Sequence, residues 1–244
     1  MSPSQPVIVL VHGAWADASS WSSVISELQR HGLTVYAPPN PLRGLPQDSA
    51  YLHQYLTQNA ALQGQPVVLV GHSYGGAVVT NAAVVASGVR ALVYVDAFIP
   101  DQGDTVGELL GAQPGSCLGA PGVFNPVPYP GAPSGDVDLY IKPDLVPGCF
   151  ATGLPASQAA VIAATQRPLT ASAFTEPSGP PAWKTIPSWA VIGTADQVIP
   201  PAELTFMAKR AGARITDINA GHLSLISEPS VVTDVILQAV QATG

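Results

Sequence analysis

Val67-Val68-Leu69-Val70-Gly71-His72-Ser73-Tyr74-Gly75-Gly76 is the stretch that decides the fold. A continuous apolar run rich in β-branched residues reads as a buried strand. It ends in G-x-S-x-G, and Ala77-Val78-Val79-Thr80-Asn81-Ala82-Ala83 then continues as a helix. Strand, sharp turn and helix leave Ser73 at the apex, in a strained backbone conformation that the flanking glycines make room for. The turn lifts the Ser73 hydroxyl above the sheet edge, beside a helix N-terminus whose N–H groups favour developing negative charge. Ser73 is therefore the candidate nucleophile.

The same alternation extends outward in both directions. Upstream, Val7 to Val11 is a short apolar strand that runs into His12-Gly13-Ala14-Trp15. A helix is expected over Ser19 to Arg30, with Trp21, Val24, Ile25 and Leu28 on one core-facing stripe. Leu33 to Ala37 reads as the next strand. Gln47 to Leu62 reads as a helix with Tyr51, Leu52, Tyr55 and Leu56 inward. Downstream, Ala91 to Asp96 is a further buried strand. The rhythm then breaks from Ile99 to Pro181, a segment rich in Pro, Gly, Ser and Ala with no strand of core type. Helices are expected there around Thr105 to Leu110 and Ala156 to Thr165. So long a structureless insertion is foreign to a compact domain, so the segment reads as a lid over the sheet's carboxyl edge.

After Trp183 the rhythm resumes. Ser188 to Gly193 and Arg214 to Ile218 read as strands, with helices over Pro201 to Arg210 and Pro229 to Ala242. The expectation is an α/β chain: a doubly wound, mostly parallel six-stranded sheet formed by 1–98 and 182–244, with 99–181 as an inserted cap. Ligands of such sheets bind beyond the carboxyl ends of the strands. His12-Gly13, Ser73, Asp96, Asp196 and His222 all fall there.

Composition removes several function classes. The 244 residues allow one full domain with a sizeable core. A net charge of −7 without a basic cluster argues against nucleic acid as a partner. No apolar run approaches the ~20 residues a membrane helix needs. The first residues have neither a basic n-region nor an apolar h-region, so a cytoplasmic location is the default. The low charge, 10% of residues, keeps secretion open. Cys117 and Cys149 lack metal-ligand spacing. Two buried thiols are the expectation, and a local disulfide is the alternative, since both lie in one loop-rich segment.

A serine nucleophile needs a base, and the base needs an orienting acid. Of five histidines, His12 and His72 sit inside turn motifs, His31 closes a helix and His53 lies mid-helix. His222 alone follows the last strand in a loop beside a glycine, which makes it the candidate base. Asp196 follows a strand end and precedes His222, matching the chain order serine, acid, histidine. Asp96 also ends a strand after Ser73 and is the alternative acid or a pocket residue. The N–H groups of Ala14 and Tyr74 are the expected oxyanion donors. Gly13, Trp15 and Phe98, with Phe124 and Tyr129 from the cap, are candidates for lining an apolar substrate pocket.

Taken together, Val11-His12-Gly13-Ala14-Trp15, Gly71 to Gly76, Gly193-Thr194-Ala195-Asp196-Gln197-Val198-Ile199-Pro200 and Gly221-His222 resemble the α/β-hydrolase superfamily. The compact size and single cap are similar to the group holding plant methyl-ester esterases and hydroxynitrile lyases. The resemblance implies a serine esterase; the apolar pocket candidates imply a small to medium uncharged ester, the serine mechanism requires no metal or cofactor, and a monomer or homodimer is expected. In the lyase branch a threonine and a lysine occupy the positions held here by Gly13 and Leu223. A serine at the elbow also departs from the aspartate of the epoxide-hydrolase and haloalkane-dehalogenase branches. The competing readings are a cofactor-free lyase, perhydrolase or oxygenase on the same serine site, a chain-release thioesterase, and a non-catalytic small-molecule binding protein.

Overall fold

The computed structural model describes residues 5–133 and 135–243. Its main sheet contains β1 (Val7–Val11), β2 (Val35–Tyr36), β3 (Val67–His72) and β4 (Val89–Val95) from the first part of the chain. Two later strands complete it, and between them and β4 lie three short strands of a second sheet. Those three are β5 (Phe124–Val127), β6 (Asp138–Ile141) and β7 (Leu169–Thr170); the later pair are β8 (Ser188–Gly193) and β9 (Arg214–Ile218).

All neighbours in the main sheet are parallel, in the order β2-β1-β3-β4-β8-β9. β1 and β3 are fully buried apolar runs, as a parallel sheet covered on both faces requires. The edge strand β9 instead exposes Arg214 and Asp217, charges that discourage pairing with another chain.

The helices supply those covers. α1 (Ser22–Arg30) and α2 (Leu45–Gln58) follow β1 and β2, and α3 (Tyr74–Ala82) follows β3. α4 (Val106–Gly111) and α5 (Ala156–Ala164) belong to the segment between β4 and β8. α6 (Pro201–Arg210), α7 (Ser224–Ser227) and α8 (Pro229–Thr243) complete the chain. α2 packs on α3, α8 packs on α1, and α6 covers β8 and β9. The six expected strands are all present, and no described helix is long and apolar enough to cross a membrane.

Three local expectations change. First, α2 is rotated relative to the expected stripe. Leu45, Asp48, Ser49, Leu52 and Leu56 are its buried residues, while Tyr51 is exposed. A buried aspartate on the inner face hides the true stripe from a count of apolar residues alone. Second, the segment after β4 contains the antiparallel sheet β5-β6-β7. Its strands have four, four and two residues, and the largely exposed β5 carries Pro126, so they are too short to announce themselves as core strands. Third, Cys117 and Cys149 are joined in a disulfide, with Cα atoms 5.7 Å apart, in place of the two expected thiols. The chain returns after 32 residues to bring them together, a closeness that spacing alone does not reveal.

Candidate active site

Ser73 lies between β3 and α3 at φ 52°, ψ −126°, a conformation costly for a residue with a Cβ. The surroundings enforce it. A Cβ at Gly75 would stand 2.5 Å from the Val11 carbonyl oxygen, so only glycine lets α3 start this close to β1. The Ser73 N–H donates to Val95 O at 3.2 Å, and the Phe98 N–H donates to Ser73 O at 3.2 Å. The elbow is thus clasped by the turn that follows β4.

His222, in the loop after β9, faces this serine. The Ser73 hydroxyl donates to His222 Nε2 at 2.8 Å, and His222 Nδ1–H donates to Asp196 Oδ2 at 2.7 Å. Asp196 Oδ1 accepts the N–H groups of Val198 at 2.7 Å and Ile199 at 3.1 Å. All three side chains are buried. Burial pulls the His222 imidazole down to about 3, which leaves Nε2 unprotonated and able to accept a proton. Tyr74 opens α3, and Ala14 lies in the turn after β1. Among the described residues, neither the Ala14 N–H nor the Tyr74 N–H donates to a backbone acceptor, and both residues line the cavity at Ser73.

A model of the alpha/beta hydrolase family matches residues 8–235. The chain belongs to the alpha/beta hydrolase family. A curated relative, the carbendazim hydrolyzing esterase of Nocardioides sp., is 34% identical over 113 residues, which are 42% of this chain and 46% of that protein. The chain spans about half the length of the curated relatives it matches. Among solved structures, the methylesterase MES16 of Arabidopsis aligns with a TM-score of 0.78 and 18% identity over 97% of this chain and 99% of that one. Tomato methylketone synthase I aligns with a TM-score of 0.75 and 18% identity over 99% and 100%.

In this α/β-hydrolase, His222 rests on a prop that the sequence reading passed over. His72 Nε2–H donates to the His222 carbonyl oxygen at 2.9 Å, and the two rings are 4.9 Å apart. Burial, and secondarily His222, hold the His72 pKa well below its ordinary value, so it serves as a neutral donor. Its place inside the elbow motif is the only sequence signal for that role. His12 works similarly on the first loop. Its Nδ1–H donates to Gly13 O at 2.8 Å and its Nε2 accepts the Asn40 N–H at 2.9 Å. Burial lowers it to about 4.

Among the described residues, no hydrogen bond joins Asp96 to His222. The Asp96 carboxyl oxygens are hydrogen-bonded to the Gly193 N–H at 2.6 Å and to the Ser224 hydroxyl. Of the two aspartates, Asp196 is the one hydrogen-bonded to His222. A second unforeseen contact fixes Tyr74, whose hydroxyl donates to Asp48 Oδ2 at 2.8 Å.

The cavity at Ser73 is nearly closed, with about 10 Å³ of free space. Trp15 and Phe98 line it, and Val106, Leu110, Leu118 and Phe174 add an apolar wall from the segment after β4. Gly13 does not line the cavity; it backs onto Ser73 from behind. Phe124 reaches the site indirectly, stacked on Trp15 at 5.6 Å. Tyr129 lies elsewhere, under the Arg43 guanidinium and donating to Asp136. An outer pocket of about 180 Å³ lies across Trp15, bounded by Phe150, Ile162 and Leu223. A groove of about 650 Å³ at the amino ends of β3 and β4 is larger, but it contains none of these groups. Among the described residues, no group of three or more His, Cys, Asp or Glu side chains is arranged to hold a metal ion.

Proposed function

We propose that this α/β-hydrolase is a serine esterase that cleaves small to medium, uncharged carboxylic esters through an acyl-enzyme. The observation that carries the reading is the buried chain Ser73 Oγ, His222 Nε2, His222 Nδ1, Asp196 Oδ2, with links of 2.8 and 2.7 Å. Such a chain moves a proton off a hydroxyl as that hydroxyl becomes a nucleophile.

The steps follow from it. Ser73 Oγ attacks the ester carbonyl carbon while its proton passes to His222 Nε2. The carbonyl oxygen becomes an oxyanion and takes hydrogen bonds from the Ala14 and Tyr74 N–H groups. The carbon–oxygen bond to the alcohol breaks, and the leaving alcohol takes the proton from Nε2. Water then attacks the acyl carbon, giving its proton to His222. Collapse of that second tetrahedral intermediate returns the proton to Ser73 and frees the acid. Asp196, anchored by two backbone N–H groups, holds the ring tautomer and stabilises the imidazolium that forms in each half.

The apolar wall of the inner cavity favours an uncharged acyl group, because nothing there would offset the cost of burying an ion. The relative named as a carbendazim hydrolyzing esterase supports the hydrolytic class. Lyase chemistry of the related branch is disfavoured by Gly13 and Leu223. A Cβ at Gly13 would stand 2.7 Å from Ser73 Cβ, leaving no room for a threonine, and Leu223 is a buried apolar residue in place of a lysine.

The test is turnover of a chain-length series of chromogenic esters by the wild type and Ser73→Ala. Turnover with a length optimum, abolished in the variant, is the expected result. A folded wild type inactive across the series would overturn the reading.

A further inference from the structure

We propose that Asp96 is a positioning residue that ties the loops bearing Ser73, Asp196 and His222 into one fixed arrangement. The role rests on the serine-hydrolase reading above.

β4 lies between β3 and β8 in the sheet, so its carboxyl end is the one point next to both the elbow and the acid loop. This end of β4, with the turn after it, engages three sites. Through its backbone it clasps Ser73 from two sides, by Val95 O and the Phe98 N–H. Through its side chain it reaches the other two loops. Asp96 Oδ1 accepts from the N–H of Gly193, the last residue of β8 and the start of the loop carrying Asp196. Oδ2 is hydrogen-bonded to the hydroxyl oxygen of Ser224, two residues beyond His222. The Asp96 N–H also donates to Val191 O at 3.0 Å, which fixes the turn to β8.

The arrangement comes at a local cost. Asp96 has φ 44°, a left-handed conformation, and its carboxyl is completely buried. Among the described residues no Lys or Arg pairs with it. Burial, and after it the charge of Asp196, push its pKa up. Oδ1 takes the Gly193 N–H, and the remaining partner of the carboxyl is Ser224. Complete burial with no paired cation favours the neutral Asp96 carboxyl, whose O–H then donates to Ser224 Oγ. Asp96 acts as a neutral clamp that spans two loops.

A neutral clamp and a charged group predict opposite results for an isosteric amide. Asp96→Asn keeps an oxygen for the Gly193 N–H and offers an N–H₂ to Ser224 Oγ. Asp96→Ala removes both tethers. The experiment compares full-length Asp96→Asn, Asp96→Ala and Ser224→Ala proteins by three readouts: kcat and KM on an ester, the rate at which a fluorophosphonate labels Ser73, and the downfield proton resonance of the His222–Asp196 hydrogen bond.

Asp96→Ala is expected to lose about 10²-fold in kcat, the scale of an ångström misplacement, with KM little changed. Its labelling slows in parallel and its downfield resonance is lost or broadened. Asp96→Asn restores most of the rate and the resonance, and Ser224→Ala falls between. If Asp96→Ala does not fold, Ser224→Ala, which cuts one tether only, still reads the clamp. Wild-type kinetics and resonance in Asp96→Ala or Ser224→Ala would overturn the proposal, and so would an Asn variant as defective as the Ala variant. Absence of ester turnover by the wild type sinks the esterase reading instead, since the resonance reports the clamp without any substrate.

Discussion

Gly13 is packed directly behind Ser73: a Cβ there would stand 2.7 Å from Ser73 Cβ and 2.9 Å from the His72 carbonyl oxygen. Neither neighbour is a flexible side-chain end, so a methyl group must push the backbone of one loop away from the other. Ala14, whose N–H is the proposed oxyanion donor, is the next residue. Gly13→Ala is therefore expected to cut kcat by about 10²-fold, the cost of displacing one preorganised donor. Steady-state kinetics beside a thermal melt checks this. An alanine variant with unchanged kcat would show that the first loop is free to move and that its N–H is not part of the site.

Trp15 forms the wall between the inner cavity and the outer pocket and lines both. It is held at φ 57°, an outlier for so bulky a residue, by its N–H on Arg167 O and its Nε1–H on Leu139 O. Glycine accepts that conformation, so Trp15→Gly removes the ring without adding backbone strain. Joining the two spaces is expected to shift kcat/KM toward bulky esters over small ones by tenfold or more, on the order of 1–3 kcal/mol for filling new apolar volume. Because the ratio is taken within one folded variant, lost stability does not enter it. An unchanged ratio would mean that substrate never passes the Trp15 position.

The reach and the limits of the sequence reading have physical causes. Ser73, Asp196 and His222 were legible because each follows a parallel strand, and such strands deliver their loops to one edge. Strand identity was legible because buried parallel strands are short apolar runs. The clamp at Asp96 was not, because two aspartates at neighbouring strand ends look alike until their acceptors are known. Nor was the Asp48–Tyr74 contact, since a buried aspartate on a helix reads as a polar face. The β5-β6-β7 sheet lacked signal because its strands, two to four residues long, are too short to set up a periodic apolar pattern. The Cys117–Cys149 bridge depends on how a proline-rich segment folds back, a matter of tertiary contact alone.

That bridge joins two parts of the wall around the site. The Cys117 N–H donates to Gln197 O in the acid loop, and Leu118 lines the inner cavity. On the other side, Phe150 follows Cys149 and packs on the His222 ring at 5.5 Å. Closing a loop of this length removes about 3–4 kcal/mol of unfolded-chain entropy on the chain-entropy model. Reduction, or the pair Cys117→Ser and Cys149→Ser, is expected to lower the melting temperature by several degrees, of order the 2–4 °C per kcal/mol typical at this chain size. Calorimetry with and without a reductant measures it, and identical melts would show that the bridge contributes nothing to stability. A structural disulfide of this kind persists in oxidising compartments.

Asp48 offers a test in which pH isolates one group. Its side chain is buried, accepts the Tyr74 hydroxyl and is bonded twice by the Arg43 N–H. Burial raises its pKa from 3.8 to about 6, more than those hydrogen bonds lower it. Between these values the folded state binds the proton that the unfolded state releases. The contribution of Asp48 to stability is therefore fully present below pH 3.8 and is lost as pH rises through 6, by about 3 kcal/mol in all. The buried His12 and His222 act in the opposite sense, because lowered imidazole values withdraw stability as pH falls below 6.5. Total stability thus mixes the two, but the difference between wild type and Asp48→Asn does not. Denaturant titrations of both proteins from pH 4 to 7 should show the variant gaining on the wild type as pH rises, most steeply around pH 5, midway between the two values. A difference that stays flat across that range would mean that Asp48 keeps an ordinary carboxyl, and that the oxygen holding Tyr74 is a carboxylate throughout.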